Sequence, residues 1–173
     1  MNNFQSHFKY GLMAGAMLII IKYMILVSLD EVSVTAMMID YLGLITLAGV
    51  CYLAVFNHRE KVNEGKITFQ DAFMICIYIS FIAAILVGCF QFIYAKYIDP
   101  TRAERMVQKT IDYMKERKMS ENDMKRAVEN ARAFYQPVSQ FITGISVIIY
   151  GLFISLVIAA LTKKDITKNH NTN

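Results

Sequence analysis

Residues 72–97, AFMICIYISFIAAILVGCFQFIYAKY, form an apolar run that decides the class of fold. As a helix, these 26 residues would be about 39 Å long, enough to cross a hydrocarbon core of about 30 Å. A transmembrane β-strand would instead alternate apolar and polar residues over about ten positions, and this run is continuous. We therefore predict that it forms a transmembrane helix.

Three further apolar runs have the length of a membrane span: residues 8–29, 36–56 and 138–161. Hydrophobic residues make up 55% of the 173-residue chain, too high a fraction for a water-soluble domain. The sequence therefore predicts an all-α integral membrane four-helix bundle. Residues 1–173 would form one membrane domain, with the lipid bilayer as its first partner. The net charge of +4 is modest, so nucleic-acid binding is not predicted.

The polar stretch GKITFQDAF, residues 65–73, leads into the run at 72–97 and has the pattern of a helix start. In a capping box, the hydroxyl of Thr68 would accept from the third backbone N–H of the new helix. The carboxylate of Asp71 would accept from the backbone N–H of Thr68 and would favour the positive end of the helix. We interpret Thr68 and Asp71 as a helix-capping signature and not as a catalytic pair.

The distribution of basic residues predicts how the chain crosses the membrane. One basic residue precedes the first span, three lie between the second and third spans and three follow the fourth: Lys9; Arg59, Lys61 and Lys66; and Lys163, Lys164 and Lys168. The charged residues between the first two spans are Asp30 and Glu31. Nine basic residues between the third and fourth spans favour the opposite orientation, but the first helix usually dominates. We predict that both termini face the cytoplasm.

Residues 99–136, between the third and fourth spans, carry the signals of two amphipathic helices. Asp99 would cap the first helix, which would end near Lys118. Ser120 and Asp123 would form a capping box for the second helix. We predict a helical hairpin that stands outside the bilayer.

Apolar residues recur on one face of each helix of this hairpin. The candidate interaction face consists of Val107, Ile111, Met114, Met124, Val128 and Phe134. The two apolar faces could pack on each other or on the membrane surface. The hairpin is where we expect a protein partner, or another copy of the chain, to bind.

Lys22 and Asp40 lie inside predicted spans, where a charge is costly and often functional. They would lie about 12 Å and about 8 Å below the same interface, and so form a candidate intramembrane polar pair. An ion pair would neutralise both charges, and in a transporter a proton or a substrate would break it. The alternative is that Lys22 extends outward while Asp40 lies among the headgroups.

Small residues recur at four-residue spacing in three of the predicted spans. They are Gly11 and Gly15; Ser80, Ala84 and Gly88; and Gly151, Ser155 and Ala159. Because lipid supplies no hydrophobic force between helices, such residues favour association by letting backbones approach closely. We expect them to pack helices within one chain, with a homodimer face as the alternative.

Catalytic and metal-binding patterns are not found in the sequence. Hydrolysis or acyl transfer would need a Ser or Cys with a His and a carboxylate. His7, His58 and His170 lie near the ends of spans or in the tail, and the three cysteines fall inside predicted spans without metal-ligand spacing. We therefore predict no catalytic residues, no cofactor, no metal site and no enzyme activity.

Four stretches carry a resemblance to a known family. They are ITFQDAF at residues 67–73, YIDP at 97–100, MSENDMKRAVENARAF at 119–134 and KK at 163–164. In these stretches the chain resembles an uncharacterised domain-of-unknown-function family of four-span membrane proteins widespread in Bacteroidetes. Similar proteins more often carry Glu at the position of Asp71, and either residue can cap a helix. The resemblance covers nearly the whole chain and implies a bacterial inner-membrane protein, without an activity to carry over.

Two functions follow from these features as hypotheses. The first is a non-enzymatic interaction or scaffold protein that acts through residues 99–136. The alternative is a small transporter or channel that uses Lys22 and Asp40, with Gln91 at a related depth. A membrane-embedded enzyme would need a polar cavity that the sequence does not indicate.

Overall fold

The computed structural model describes residues 3–28, 34–62 and 65–163, and most of these residues lie in helices. In chain order the helices are α1 (Asn3–Ser28), α2 (Val34–Val62), α3 (Phe69–Ile93), α4 (Arg102–Glu116), α5 (Glu121–Phe134), α6 (Pro137–Thr143) and α7 (Ile145–Thr162). A π-helical turn, Tyr94–Ile98, follows α3. The predicted all-α class is confirmed.

Four stretches of these helices are long and apolar enough to cross a membrane: Ser6–Val27, Met38–Lys61, Phe69–Ile98 and Pro137–Thr162. The prediction of four such helices is confirmed. Large apolar side chains such as Ile45, Phe153 and Leu161 are exposed on them, as expected where lipid replaces water as the solvent. Four of the residues that support the predicted orientation in the membrane lie outside the described part of the chain: Asp30, Glu31, Lys164 and Lys168.

Two helices differ in extent from the predicted apolar runs. The second was predicted to end at residue 56, but α2 continues to Val62. Helical hydrogen bonds do not require apolar side chains, and the basic residues in its last turn favour the negative end of the helix. The fourth was predicted as one helix, but Gly144 divides it into α6 and α7. Gly144 keeps helical dihedral angles, φ −57° and ψ −28°, so the interruption is local.

The chain divides into two compact units, Met1–Leu86 with Ser146–Asn173, and Val87–Ile145. The first unit holds α1, α2, most of α3 and nearly all of α7. Small and branched apolar side chains fill its core: Ala14, Leu47, Cys51, Val55, Cys76, Ile79, Ala83 and Ala159. The small side chains among them let neighbouring helices approach closely.

Glycines of the predicted small-residue stripes lie at these close approaches. A Cβ atom on Gly11 would lie 2.8 Å from Cβ of Ile82. One on Gly15 would lie 2.5 Å from Cδ1 of Leu86, and one on Gly151 would overlap the side chain of Ser80. The stripes on α1 and α7 thus pack against α3 of the same chain, as expected from the sequence.

The second unit holds α4, α5 and α6. The start of α4 differs from the prediction, because Thr101 and not Asp99 is the N-cap residue. The Asp99 carboxylate instead accepts hydrogen bonds from the side chains of Thr101 and Arg105, so it is not available to cap the helix.

Helices α4 and α5 pack against each other in this unit. The start of α5 follows half of the predicted capping box: the Ser120 hydroxyl accepts from the backbone N–H of Asp123 at 3.2 Å, and the Asp123 carboxylate accepts from that hydroxyl at 2.7 Å. Between the helices, Lys118 has a left-handed backbone, φ 53°. This conformation lets the turn close at a residue other than glycine, at some cost in strain.

Candidate functional site

Lys22 and Asp40 form an ion pair in the structure. The Lys22 Nζ lies 2.6 Å from Oδ1 of Asp40. Lys22 is six residues before the end of α1 and Asp40 six residues after the start of α2, so each is about 9 Å along its helix from that end. Their side chains are 36% and 49% exposed, which places the pair at the surface of the first unit. The alternative in which Lys22 extends away from Asp40 is not the arrangement observed.

The helix start at Thr68 follows half of the predicted capping box. The Thr68 hydroxyl accepts from the backbone N–H of Asp71 at 3.1 Å. The Asp71 carboxylate accepts from that hydroxyl at 2.7 Å, rather than from the backbone N–H of Thr68 as predicted. Gly65, with φ +83°, provides the turn before the helix. These contacts give Thr68 and Asp71 a role in starting α3.

Two polar contacts between α1 and α2 were not predicted. The rings of His7 and His58 lie 5.0 Å apart between centroids. One helical turn along α1, the hydroxyl of Tyr10 accepts from Nδ2 of Asn57 at 2.9 Å. Within the described residues, no group of three or more His, Cys, Asp or Glu side chains is placed to hold a metal ion.

The base of the α4–α5 pair contains a buried arginine. The guanidinium Nη1 of Arg102 donates to Oε1 of Gln140 in α6 at 3.3 Å, and its Cζ lies 5.5 Å from the ring centroid of Tyr135. Arg102 is 7% exposed and Gln140 is 2% exposed. A buried guanidinium is costly unless its donors are satisfied, so this contact fixes the start of α4 against α6.

Gln140 and its neighbours link α6 to two other helices. The Nε2 of Gln140 donates to the carbonyl of Phe134 at 2.8 Å, and the Ser139 hydroxyl donates to the carbonyl of Ala133 at 2.7 Å. These bonds satisfy carbonyl groups at the end of α5, which have no partner within the helix. The Thr143 hydroxyl donates to Oε1 of Gln91 in α3 at 2.7 Å. The base of the helix pair is thus tied to α3 and α6 by polar side chains.

The sequence did not single out Arg102 and Gln140. Arg102 was treated as one of nine basic residues between the third and fourth spans, and Gln140 was not considered. A signal was present, because Gln140 and Thr143 are polar residues at the start of an apolar run. Such residues in spans often form hydrogen bonds between helices. Gln91 in α3 is another such residue, and its contact with Thr143 has this form.

Asp99 is the acidic group at this base. The Nη1 of Arg105 donates to its Oδ1 at 2.9 Å, and the other terminal guanidinium nitrogen contacts Oδ2. This hydrogen bonding holds the pKa of the Asp99 carboxyl below its usual value, and the positive charge of Arg105 acts in the same direction. The Thr101 hydroxyl and the charge of Arg102 lower this pKa further, whereas partial burial opposes them.

The stabilising effect of Asp99 should depend on pH. Because its pKa is lower in the folded protein, its contribution is present above the unfolded-state pKa of about 4 and is lost as the pH falls through the folded-state value. We expect Asp99→Asn to lower the free energy of unfolding at pH 7 by at most about 1 kcal/mol, because Arg105 is 57% exposed. Denaturant unfolding in detergent, followed by circular dichroism, should show this difference shrinking below about pH 4. An equal difference at pH 3 and pH 7 would contradict this role.

The predicted interaction face is largely an internal contact. Val107 and Met114 on α4 are buried, so they are not accessible to a partner in this structure. Three more residues of the face are half-buried: Ile111, Met124 and Val128. Phe134 is 53% exposed. The face available to a partner is therefore smaller than predicted.

Comparison with known proteins identifies a family whose function is unknown. A family model described as "Protein of unknown function (DUF4199)" matches residues 9–164. This range includes the whole second unit and most of the first, and it covers all four stretches that could cross a membrane apart from the first residues of Ser6–Val27. No curated protein and no solved structure matches the chain.

Proposed function

The chain belongs to this family of proteins of unknown function, and from that premise we propose that it is a multi-pass interaction protein whose α4–α5 helix pair binds another protein chain. In this proposal the four apolar helices anchor the protein, and the helix pair stands outside the bilayer. The proposal includes a bacterial inner-membrane location with both termini in the cytoplasm, supported by the basic residues Lys9, Arg59 and Lys66.

The buried Arg102–Gln140 contact is the observation that carries this proposal. A connection that only joined two spans could be a flexible polar loop and would need no buried guanidinium. Here the start of α4 and the end of α5 are both bonded to Gln140. A helix pair held in this way presents a fixed surface, which lowers the entropy cost of binding a partner.

Exposed aromatic residues on the helix pair also support an interaction role. Tyr113 on α4 and Phe134 on α5 are each about half exposed. Aromatic residues are enriched in the centres of protein interfaces, because they bury a large area with few rotatable bonds. We therefore propose both as contact residues.

Site-specific cross-linking in intact membranes would test this function. A photoreactive amino acid at Tyr113 or Phe134 should give discrete protein adducts, because these side chains would touch the partner. The matched control is the same amino acid at Leu161, an exposed position in an apolar helix that should contact lipid. Absence of adducts from both helix-pair positions, with expression equal to that of the control, would contradict the proposal.

A small transporter or channel is the second candidate, and the 2.6 Å Lys22–Asp40 ion pair is the observation that favours it. A proton or a substrate that neutralised Asp40 would release Lys22 and could change the contact between α1 and α2. The test is ion flux in proteoliposomes: Asp40→Asn should abolish it, whereas Asp112→Asn on α4 should not. Equal flux in both variants would remove this candidate.

A further inference from the structure

Four charged residues on α5 lie on one face of the helix and border a shallow groove. These residues, named here the α5 charged face, are Glu121, Lys125, Glu129 and Arg132. The half-buried side chains of Ile111, Met124 and Val128 line the same groove. Residues at this spacing share one face because each step along a helix turns by about 100°. The groove therefore combines an apolar floor with charged sides.

The charges of this face are available to a partner. All four side chains are exposed. Their spacing of three or four residues would allow ion pairs along the helix. In the part of the chain that the structure describes, none of the four forms an ion pair within 4.0 Å.

Charges of opposite sign lie at nearly equal distances on either side of the middle of α5. Along the helix the signs are negative at Glu121, positive at Lys125, negative at Glu129 and positive at Arg132. If a second α5 lies antiparallel across a two-fold axis near residues 126 and 127, Glu121 faces Arg132 of the other copy. Lys125 likewise faces Glu129. A parallel arrangement in register would place each charge opposite its own copy.

We propose that the partner of the α5 charged face is a second copy of this chain, bound antiparallel through the same face. The inference rests on the proposed function, because it names the partner of the α4–α5 pair. Charge complementarity is the observation that supports this inference. The same surface provides both the acidic and the basic residue of every ion pair, as an isologous two-fold contact requires. The partly exposed Met124 and Val128 lie between the charged pairs and become the apolar centre of the contact.

Confinement to a membrane favours such a contact. Exposed ion pairs are individually weak, and a groove of this size offers little apolar area. Two copies in one bilayer are related by a two-fold axis along the membrane normal, so the antiparallel contact requires α5 to lie along the membrane surface. Copies held in this plane have a raised effective concentration. The dimer should therefore form in a bilayer and weaken as the salt concentration rises.

Charge-swapped variants test the proposal. An all-basic chain carries Glu121→Lys and Glu129→Lys, and an all-acidic chain carries Lys125→Glu and Arg132→Glu. Each chain would be labelled at Met119→Cys in a cysteine-free background, and Förster transfer would be measured in liposomes over a range of protein-to-lipid ratios. The wild type should self-associate, whereas each variant alone should associate at least about tenfold more weakly. The mixture of the two variants should regain the wild-type transfer.

A fully reversed chain, with all four substitutions, provides a variant that keeps the alternating order of charges along α5. It should self-associate like the wild type, but it should not form mixed dimers with the wild type, because like charges would then face each other. Self-association of the all-basic or all-acidic chain as strong as that of the wild type would overturn the proposal. Mixed wild-type and reversed dimers would overturn it too.

These experiments distinguish failure of the proposed dimer from failure of the proposed interaction function. A monomeric wild type whose Tyr113 or Phe134 still cross-links to a different protein would overturn the dimer and leave the interaction role standing. Absence of both Förster transfer and adducts would overturn both.

Discussion

Replacing Gly151 with Ala is expected to lower the free energy of unfolding by about 3 kcal/mol, the upper part of the usual range for overpacking a core. The added methyl group would overlap the Oγ and Cβ atoms of Ser80 on α3. Ser80 cannot move aside easily, because it is fully buried and its hydroxyl donates to the carbonyl of Cys76 at 2.9 Å. Helix α7 would have to shift away from α3 and lose contacts along its length. Reversible unfolding in mixed micelles, followed by circular dichroism, measures the change.

Two further variants make this result specific. Ser80→Gly in the Gly151→Ala background removes the atoms that clash, so it should restore most of the lost stability. Gly49→Ala is the matched control, because a Cβ atom there meets nothing within 4 Å. Alanine also favours a helix over glycine, so the control should be neutral or slightly stabilising. Equal losses in Gly49→Ala and Gly151→Ala would show that close packing is not the cause.

Replacing Arg102 with Ala is expected to release the α4–α5 pair from α6. The substitution leaves Oε1 of Gln140 buried without this donor, and it removes the cation–π contact with Tyr135. An unsatisfied buried polar group costs about 1–3 kcal/mol and a cation–π contact about 0.5–1 kcal/mol. We therefore expect local opening of α4 and α5 to become easier by about 1.5–4 kcal/mol, or about 10- to 1000-fold in exchange protection.

Amide hydrogen exchange, resolved by segment, is the measurement for Arg102. Faster exchange should be confined to the second unit, Val87–Ile145, and the segments of α1 and α2 should be unchanged. Arg126→Ala on α5 is the matched control, since this arginine is exposed and an exposed substitution usually changes stability by less than about 0.5 kcal/mol. If exchange protection in α4 and α5 is the same in Arg102→Ala as in the wild type, the Arg102–Gln140 contact does not hold the start of α4 against α6.

The parts of the fold that depend on local pattern could be predicted from the sequence. Four long apolar runs were enough to place the four apolar helices, because crossing a bilayer requires length and hydrophobicity rather than a particular partner. The cap at Ser120 is local as well, and its spacing to Asp123 was sufficient. The predicted helix ends were less accurate, because α2 continues beyond its apolar run and Gly144 interrupts the fourth run.

The contacts that depend on distant residues could not be predicted. Arg102 and Gln140 are 38 positions apart, and only the packing of α4, α5 and α6 brings them together. For the same reason, the sequence placed Val107 and Met114 on an interaction face. The pattern shows that an apolar face needs covering, but it does not show that α5 covers it. Lys22 and Asp40 could be recognised as a pair from the sequence. They lie on consecutive helices, and counting residues from the connection between these helices shows that they lie at similar depths.

We expect the third apolar stretch, Phe69–Ile98, to cross the membrane and to separate the α2–α3 connection from the α4–α5 pair. Single cysteines at Lys66 and Met119, both exposed, would be placed in a chain without native cysteines. A membrane-impermeant maleimide would then be applied to intact cells and to permeabilised cells. We expect labelling of Met119→Cys in both samples and of Lys66→Cys after permeabilisation alone. Equal labelling of the two positions in intact cells would contradict the crossing, and labelling of Lys66→Cys alone would contradict the orientation.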